Sequence, residues 1–146
     1  MDITSAAIAT IISATTSATV TLVLAKLNSK KHLDDQLDAI LKIAVQYPYL
    51  ECEDFTNQWT SDYDRDNEKF LRYEVYCTLI FNYLSRVGAF YKYDAQIIEK
   101  FLAAKSWVRL HGKYWIDPTE AYENVDSYDE SFVKLIEGYL KGGNNK

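Results

Sequence analysis

The sequence feature that most limits how this chain can fold is an uncharged run near its N-terminus. Residues 3–25 contain no charged residue, proline or glycine, and consist only of Ala, Val, Ile, Leu, Ser and Thr. As a helix, these 23 residues would be about 34 Å long, at about 1.5 Å per residue, which is enough to cross a hydrocarbon layer of about 30 Å. The run therefore predicts a single membrane-spanning helix.

The charges that flank this run predict its orientation. Asp2 precedes the run, whereas Lys26, Lys30 and Lys31 follow it. Basic residues stay on the cytoplasmic side of a membrane, so we expect the N-terminus outside and the rest of the chain in the cytoplasm. The expected location is the inner (cytoplasmic) membrane. A cleaved signal peptide fits poorly, because the basic residues come after the apolar run.

The many hydroxyl side chains of the run keep other interpretations open. Helical Ser and Thr can bond to carbonyls one turn earlier, which lowers their cost in lipid, but they also suit a soluble helix packed into an oligomer. Small residues recur at every fourth position, a pattern that favours self-association of membrane helices. One such row consists of Ala6, Thr10, Ala14 and Ala18.

Few glycines and prolines predict an all-α fold. The 146 residues include five Gly and two Pro, whereas sheets and tight hairpins need more of both. A hydrophobic content of 48% is enough for a buried core. We expect a membrane helix in residues 1–29, a cytoplasmic bundle of about four to five helices in residues 30–141, and a flexible tail in residues 142–146.

Apolar residues at helical spacing predict where the further helices lie. The first covers residues 30–46 and could continue directly from the N-terminal helix, because Asn28 and Ser29 are the only weak break. Pro48 would end it, since the residue before a proline is pushed out of the α region. A connecting segment with one helical turn then covers residues 47–66.

A long central helix is predicted for residues 67–87, with Asp66 as its N-cap and Gly88 at its end. Its apolar residues form two faces, which is typical of a helix at the buried centre of a bundle. One face consists of Phe70, Tyr73, Cys77, Ile80, Leu84 and Val87, and the other of Leu71, Val75, Leu79 and Tyr83.

Capping residues predict the C-terminal helices. Asp94 would cap a helix over residues 94–111, and Asp117 would cap a short helix that begins with a proline. Ser127 would cap the last helix, and Gly142 would end it.

The order of these features resembles that of small bacterial membrane-anchored all-helical proteins of unknown function. The resemblance depends on the apolar run of residues 3–25, the motif Tyr47-Pro48-Tyr49-Leu50 followed by Phe55, the central helix, and the Trp-rich stretch from Trp107 to Pro118. It would cover nearly the whole chain. It implies no established activity, so it brings no catalytic residues.

Charge and residue types argue against most chemical functions. A net charge of −5 disfavours nucleic acid as a partner. Neither His32 nor His111 has a carboxylate or cysteine at metal or triad spacing, and Cys52 and Cys77 have no CxxC spacing. The Asp-rich stretch after Ser61 starts like a calcium loop but lacks the required later residues. We therefore predict no cofactor, no metal, no catalytic residue and no enzymatic activity.

One segment is both basic and aromatic in an otherwise acidic region, and we call it the Trp107 segment. This combination suits contact with a protein partner or with anionic headgroups. The alternative is that both tryptophans are core residues covered by Lys and Arg stems. The contact residues predicted here are Trp107, Arg109, His111, Lys113 and Trp115.

The function predicted from the sequence is a membrane-anchored helical interaction module that binds an unknown protein partner or itself. Its contact with the membrane would be residues 3–25. One alternative is a self-assembling membrane effector or pore-forming protein that uses the Ser/Thr-rich helix. Another is a soluble helical oligomer with no membrane span.

Overall fold

The computed structural model describes residues 3–120 and 127–142, with side chains from residue 18 onward. This part of the chain is all-α, as predicted, and contains no strand. Its elements are helix α1 (Ile3–Gln46), a 3₁₀ helix (Pro48–Glu51), and helices α2 (Glu53–Thr56), α3 (Glu68–Phe90), α4 (Ala95–Phe101), α5 (Ala104–Leu110), α6 (Gly112–Ile116) and α7 (Glu130–Lys141).

The chain forms two compact units, Met1–Gln36 and Leu37–Lys146, whose boundary falls inside α1. In the first unit, α1 continues through Asn28 and Ser29, so the weak break in the sequence does not interrupt the helix. The Ser29 hydroxyl donates to the carbonyl of Ala25 at 3.0 Å, which satisfies this polar group without opening the helix.

Among the residues that the structure describes, no helix contains a segment long and apolar enough to cross a membrane. The predicted span of residues 3–25 stays a prediction. Most of that span, residues 3–17, has side chains outside the described residues. Of the predicted row of small residues, Ala6, Thr10 and Ala14 also have side chains outside the described residues. The fourth member, Ala18, is exposed.

In the second unit, α3 provides the largest part of the core. It packs against α7, which in turn packs against α5. The inward face of α3 is buried: Tyr73, Tyr76, Cys77, Ile80, Phe81, Tyr83, Leu84 and Val87. The prediction that both apolar faces are buried is wrong for Leu71, Val75 and Leu79, which are 43%, 56% and 40% exposed. Tyr83, the fourth residue of that predicted face, is buried.

The ends of α3 differ from the prediction. Asn67, and not Asp66, is the N-cap, and its Oδ1 accepts from the N–H groups of Lys69 and Phe70. The helix also passes through Gly88 and ends at Phe90. A Cβ atom on Gly88 would lie 2.8 Å from the ring of Tyr93, so this glycine permits a close approach and does not terminate the helix.

The single helix predicted for residues 94–111 is two helices. Asp94 is the N-cap as predicted, and its Oδ1 accepts from two N–H groups of the first turn. The backbone then becomes extended at Leu102, where φ is −151° and ψ is 140°. The Glu99 carboxylate accepts from the N–H of Lys105 at 2.7 Å, in the first turn of α5. This bond compensates for the break.

Asp117, predicted as a helix N-cap, instead binds Ser61. Its carboxylate accepts from the N–H and the hydroxyl of Ser61, at 3.0 and 2.6 Å. Residues 118–120 are not helical, and the rest of the short predicted helix lies in residues 121–126, outside the described residues. Helix α7 is capped by Asp129 instead of Ser127. It ends before Gly142, as predicted, and residues 143–146 of the predicted tail are not described.

Candidate functional site

The Trp107 segment does not form one surface. Arg109 and Lys113 are exposed, whereas Trp107, His111 and Trp115 are buried. The segment is two short helices, α5 and α6, that meet at His111, so its aromatic rings turn inward. The prediction of a common contact surface is therefore wrong for the three rings, and the core interpretation of the tryptophans applies.

The two exposed cations of this segment bond within the protein. Arg109 Nε donates to the carbonyl of Tyr139 at 3.1 Å, which ties α5 to α7. Lys113 Nζ donates to the carbonyl of Asn57 at 2.5 Å. Both side chains stabilise the fold, and an external partner would have to compete with these bonds.

His111 is fully buried at the junction of α5 and α6, and it lies at the centre of a polar network. The Tyr73 hydroxyl lies 3.0 Å from its Nδ1, and Oε1 of Glu51 lies 3.3 Å from its Nε2. Glu51 is the last residue of the 3₁₀ helix that begins at Pro48, and Tyr73 belongs to the buried face of α3. The network therefore joins three separate elements.

Glu51 is the acceptor for several donors. The Tyr76 hydroxyl, the Trp107 indole N–H and His111 Nε2 all reach its Oε1, at 2.5, 2.8 and 3.3 Å. Burial alone raises the pKa of Glu51, but the bonds from His111, Trp107 and Tyr76 favour the carboxylate and lower the pKa overall. Glu51 is thus held as an ion.

The two tyrosine hydroxyls of the network keep their protons. Burial raises the pKa of both Tyr73 and Tyr76, and the bond to Glu51 raises that of Tyr76 further. The hydroxyl of Tyr73 shares a hydrogen bond with Nδ1 of His111, and Nε2 of His111 faces Glu51. Both ring nitrogens of His111 therefore have partners.

Cys77, His111 and Glu51 lie in an order that resembles a catalytic triad. The Cys77 Sγ lies 3.8 Å from Nδ1 of His111, and Glu51 is bound to the opposite nitrogen. A nucleophilic cysteine must be reachable and must ionise readily. Cys77 is fully buried, and burial raises the pKa of its thiol well above the usual value. The arrangement therefore lacks an accessible nucleophile.

A cleft of about 330 Å³ lies beside this network. Glu51 and Trp107 belong to both the network and the cleft wall, and the side chain of Glu51 is 32% exposed. Glu51 is the one ionisable residue on the described wall. The lining residues are Leu37, Leu41, Glu51, Leu102, Ala103, Ser106, Trp107 and Leu110.

The residues that the structure describes contain no group of three or more His, Cys, Asp or Glu side chains that could hold a metal ion. What the arrangement offers is a fixed carboxylate at the side of an apolar cleft. A few polar groups beside an apolar wall are the usual composition of a small-molecule site.

Sequence reasoning missed Glu51, Tyr73 and Tyr76 as members of one site. Glu51 and His111 are 60 residues apart, and Tyr73 is 38 residues from His111. The one local signal was Pro48, whose fixed φ places a short 3₁₀ turn, and hence Glu51, directly after the end of α1.

Comparison with known proteins finds no matching protein-family model, no similar curated protein and no similar solved structure. The resemblance to small membrane-anchored helical proteins therefore stays a prediction.

Proposed function

We propose that this protein is a membrane-anchored helical interaction module whose folded region pairs with a second copy of the chain through the outer face of α3. The observation that carries this proposal is the exposed apolar row Leu71, Val75 and Leu79, which we call the α3 row. The anchor is the uncharged run of residues 3–25. The two parts of the proposal are supported by different residues and are tested separately.

The α3 row is a continuous apolar strip. Its members are four residues apart, so they lie one above another along one side of the helix. Single exposed aliphatic side chains are ordinary, but an aligned row of three is typical of an interaction surface. Because the opposite face of α3 is fully used in the core, this helix can bind a partner without disturbing the fold.

The charges at the two ends of the row favour a second copy as the partner. Glu68 and Arg86 are both exposed, and they lie at equal distances along the chain from Cys77, which is midway between Val75 and Leu79. An antiparallel two-fold pairing places Val75 of one copy against Leu79 of the other. The same pairing places Glu68 against Arg86 at both ends. Complementary charges of this kind fix the register of an interface.

The anchor is supported by exposed aliphatic residues in its C-terminal part and just after it in α1. They occupy more than one side of the helix, and a helix that is apolar on several sides is stable only when lipid or protein covers it. These residues are Val20, Leu22, Val23, Leu24 and Leu27. Confinement to a membrane would also raise the local concentration of the folded regions, so that a weak α3 contact could form.

The pairing is tested by charge exchange in the full chain, reconstituted in bilayers and followed by chemical cross-linking. Glu68→Arg alone and Arg86→Glu alone should each weaken pairing, because like charges then face each other. The double variant should restore it. Rescue would identify a second copy as the partner, whereas two additive losses would contradict the antiparallel pairing.

A second experiment tests the apolar part of the interface. Val75→Asp should weaken self-association about tenfold or more, because it buries an unpaired carboxylate. The matched control is Val45→Asp, since Val45 is 80% exposed and lies outside α3. If both variants pair as the unchanged chain does, the α3 row is not the interface.

The anchor is tested by alkaline carbonate extraction of membranes from cells that produce the full chain. Ala14→Arg together with Ala18→Arg should release the protein, because each central arginine costs about 2.5–3.5 kcal/mol on insertion. Asn28→Arg with Ser29→Arg adds the same charge beside the basic flank and should leave retention unchanged. Release of the unaltered chain would favour the soluble oligomer.

A further inference from the structure

We propose that the cleft beside Glu51 binds a small organic cation, namely a protonated amine that carries a compact apolar group. This inference goes beyond the proposed pairing and does not depend on it. The cleft is formed by α1, the 3₁₀ helix and the segment around α5, whereas the α3 row lies on another helix.

The walls of the cleft select for an apolar body. Apart from Glu51 and Ser106, the lining residues are aliphatic or aromatic: Leu37, Leu41, Leu102, Ala103, Trp107 and Leu110. Small-molecule sites have volumes of about 300–1,000 Å³, and this cleft lies at the small end of that range. A compact ring or a short alkyl group fits these dimensions better than a long chain.

The carboxylate selects for the charge of the ligand. Tyr76, Trp107 and His111 all donate to Oε1 of Glu51. The Tyr76 hydroxyl and the Trp107 indole are uncharged donors, so they orient the carboxylate without neutralising it. The described wall of the cleft contains no lysine or arginine. An anion would be repelled, and a cation would gain a charge-assisted hydrogen bond that a neutral ligand lacks.

Trp107 contributes to both parts of the site. Its indole N–H is bound to Glu51, and its side chain also lines the cleft. The bond orients the carboxylate, and the indole ring adds apolar surface for the body of the ligand.

Three probes of matched size test the inference: cyclohexylamine, cyclohexanol and cyclohexanecarboxylate. Each is titrated at pH 7 into the full chain, held in bilayer discs of zwitterionic lipid, and binding is followed by calorimetry against empty discs. We expect cyclohexylamine to bind about tenfold or more tightly than cyclohexanol, from its charge-assisted hydrogen bond. We expect no saturable binding of the carboxylate. Equal affinity for the amine and the alcohol would overturn the proposal.

Variants locate the bound probe. Glu51→Gln should remove the preference for the amine, and Glu53→Gln, an exposed carboxylate two residues away, should leave it unchanged. Ala103→Phe fills the cleft but removes no hydrogen-bonding group of the polar network, and it should abolish binding of both the amine and the alcohol. If Glu51→Gln unfolds the protein, Ala103→Phe still tests whether the probe binds in the cleft. Amine binding that persists in Ala103→Phe would contradict the site.

One further variant separates this inference from the proposed pairing. Val75→Asp alters the α3 row and leaves the cleft intact, so it should bind cyclohexylamine with unchanged affinity. Loss of pairing with binding retained would show that the two sites are independent. Loss of binding in Val75→Asp would contradict the separation of the cleft from the α3 row.

Discussion

Both faces of α3 depart from a simple division into an apolar core side and a polar outer side. The buried face includes the hydroxyls of Tyr73 and Tyr76 and the thiol of Cys77, whereas the outer face presents Leu71, Val75 and Leu79. Buried polar groups are tolerated when they are bonded, and His111 and Glu51 supply the bonds here. The comparison teaches that apolar character alone does not identify the core side of a helix.

The difference between the two faces of α3 is tested most directly at two neighbouring residues. Ile80 is fully buried and Leu79 is 40% exposed, although they are neighbours in α3. Ile80→Ala should lower the free energy of unfolding by about 2–5 kcal/mol, because it leaves a cavity. Leu79→Ala should lower it by about 0.5 kcal/mol or less. Urea denaturation of both variants measures this difference, and equal losses would mean that the outer face is also core.

Two glycines in helices provide the next test. Gly88→Ala should destabilise the protein by about 1–3 kcal/mol, because the new methyl group meets the ring of Tyr93. Gly138→Ala, in α7, has open space around it and should stabilise the protein by about 0.5–1 kcal/mol. Thermal unfolding followed by circular dichroism compares them. A stabilising Gly88→Ala would contradict the close contact with Tyr93.

The polar side of the comparison is tested by removing one hydroxyl. Tyr73→Phe leaves the ring in place but removes the hydrogen bond to Nδ1 of His111, and should lower the free energy of unfolding by about 1–3 kcal/mol. Tyr91→Phe, at a half-buried position after α3, serves as the matched control and should change stability little. If Tyr73→Phe has no effect, then the bond to His111 does not contribute to folding.

The smallest expected effect is a pH dependence that belongs to Glu51. Its pKa is lower in the folded protein than its ordinary value of 4.5, so Glu51 contributes stability above that pH. This contribution is lost as the pH falls through the folded pKa. The difference in unfolding free energy between the unaltered chain and Glu51→Gln should therefore shrink between pH 6 and pH 3, as urea denaturation would measure, whereas Glu53→Gln should show no such trend.

Local patterns predicted the elements whose causes are local. The end of α1 before Pro48, the cap at Asp94 and the end of α7 at Gly142 all depend on residues within one turn. Gly88 was predicted wrongly because its role is set by Tyr93, whose ring packs against the helix. The break at Leu102 was also missed, since the bond from Lys105 to Glu99 that compensates for it involves a side chain six residues away.

The candidate site could not be predicted from the sequence for the same reason. A basic and aromatic spacing made His111 resemble a surface residue, although the structure buries it completely. Nothing near His111 in the sequence indicates that Glu51 and Tyr73 would surround it. Tertiary packing of three elements creates this environment, and periodicity reports only which side of one helix is apolar.

The separation of Glu51 from His111 also has a consequence for the order in which the protein folds. The two residues are 60 positions apart, so their contact closes a long loop, and such contacts form late. During synthesis at about 5–20 residues per second, Glu51 leaves the ribosome about 3–12 seconds before His111. Throughout that interval the carboxylate remains hydrated, and only docking of α5 onto α3 completes the network.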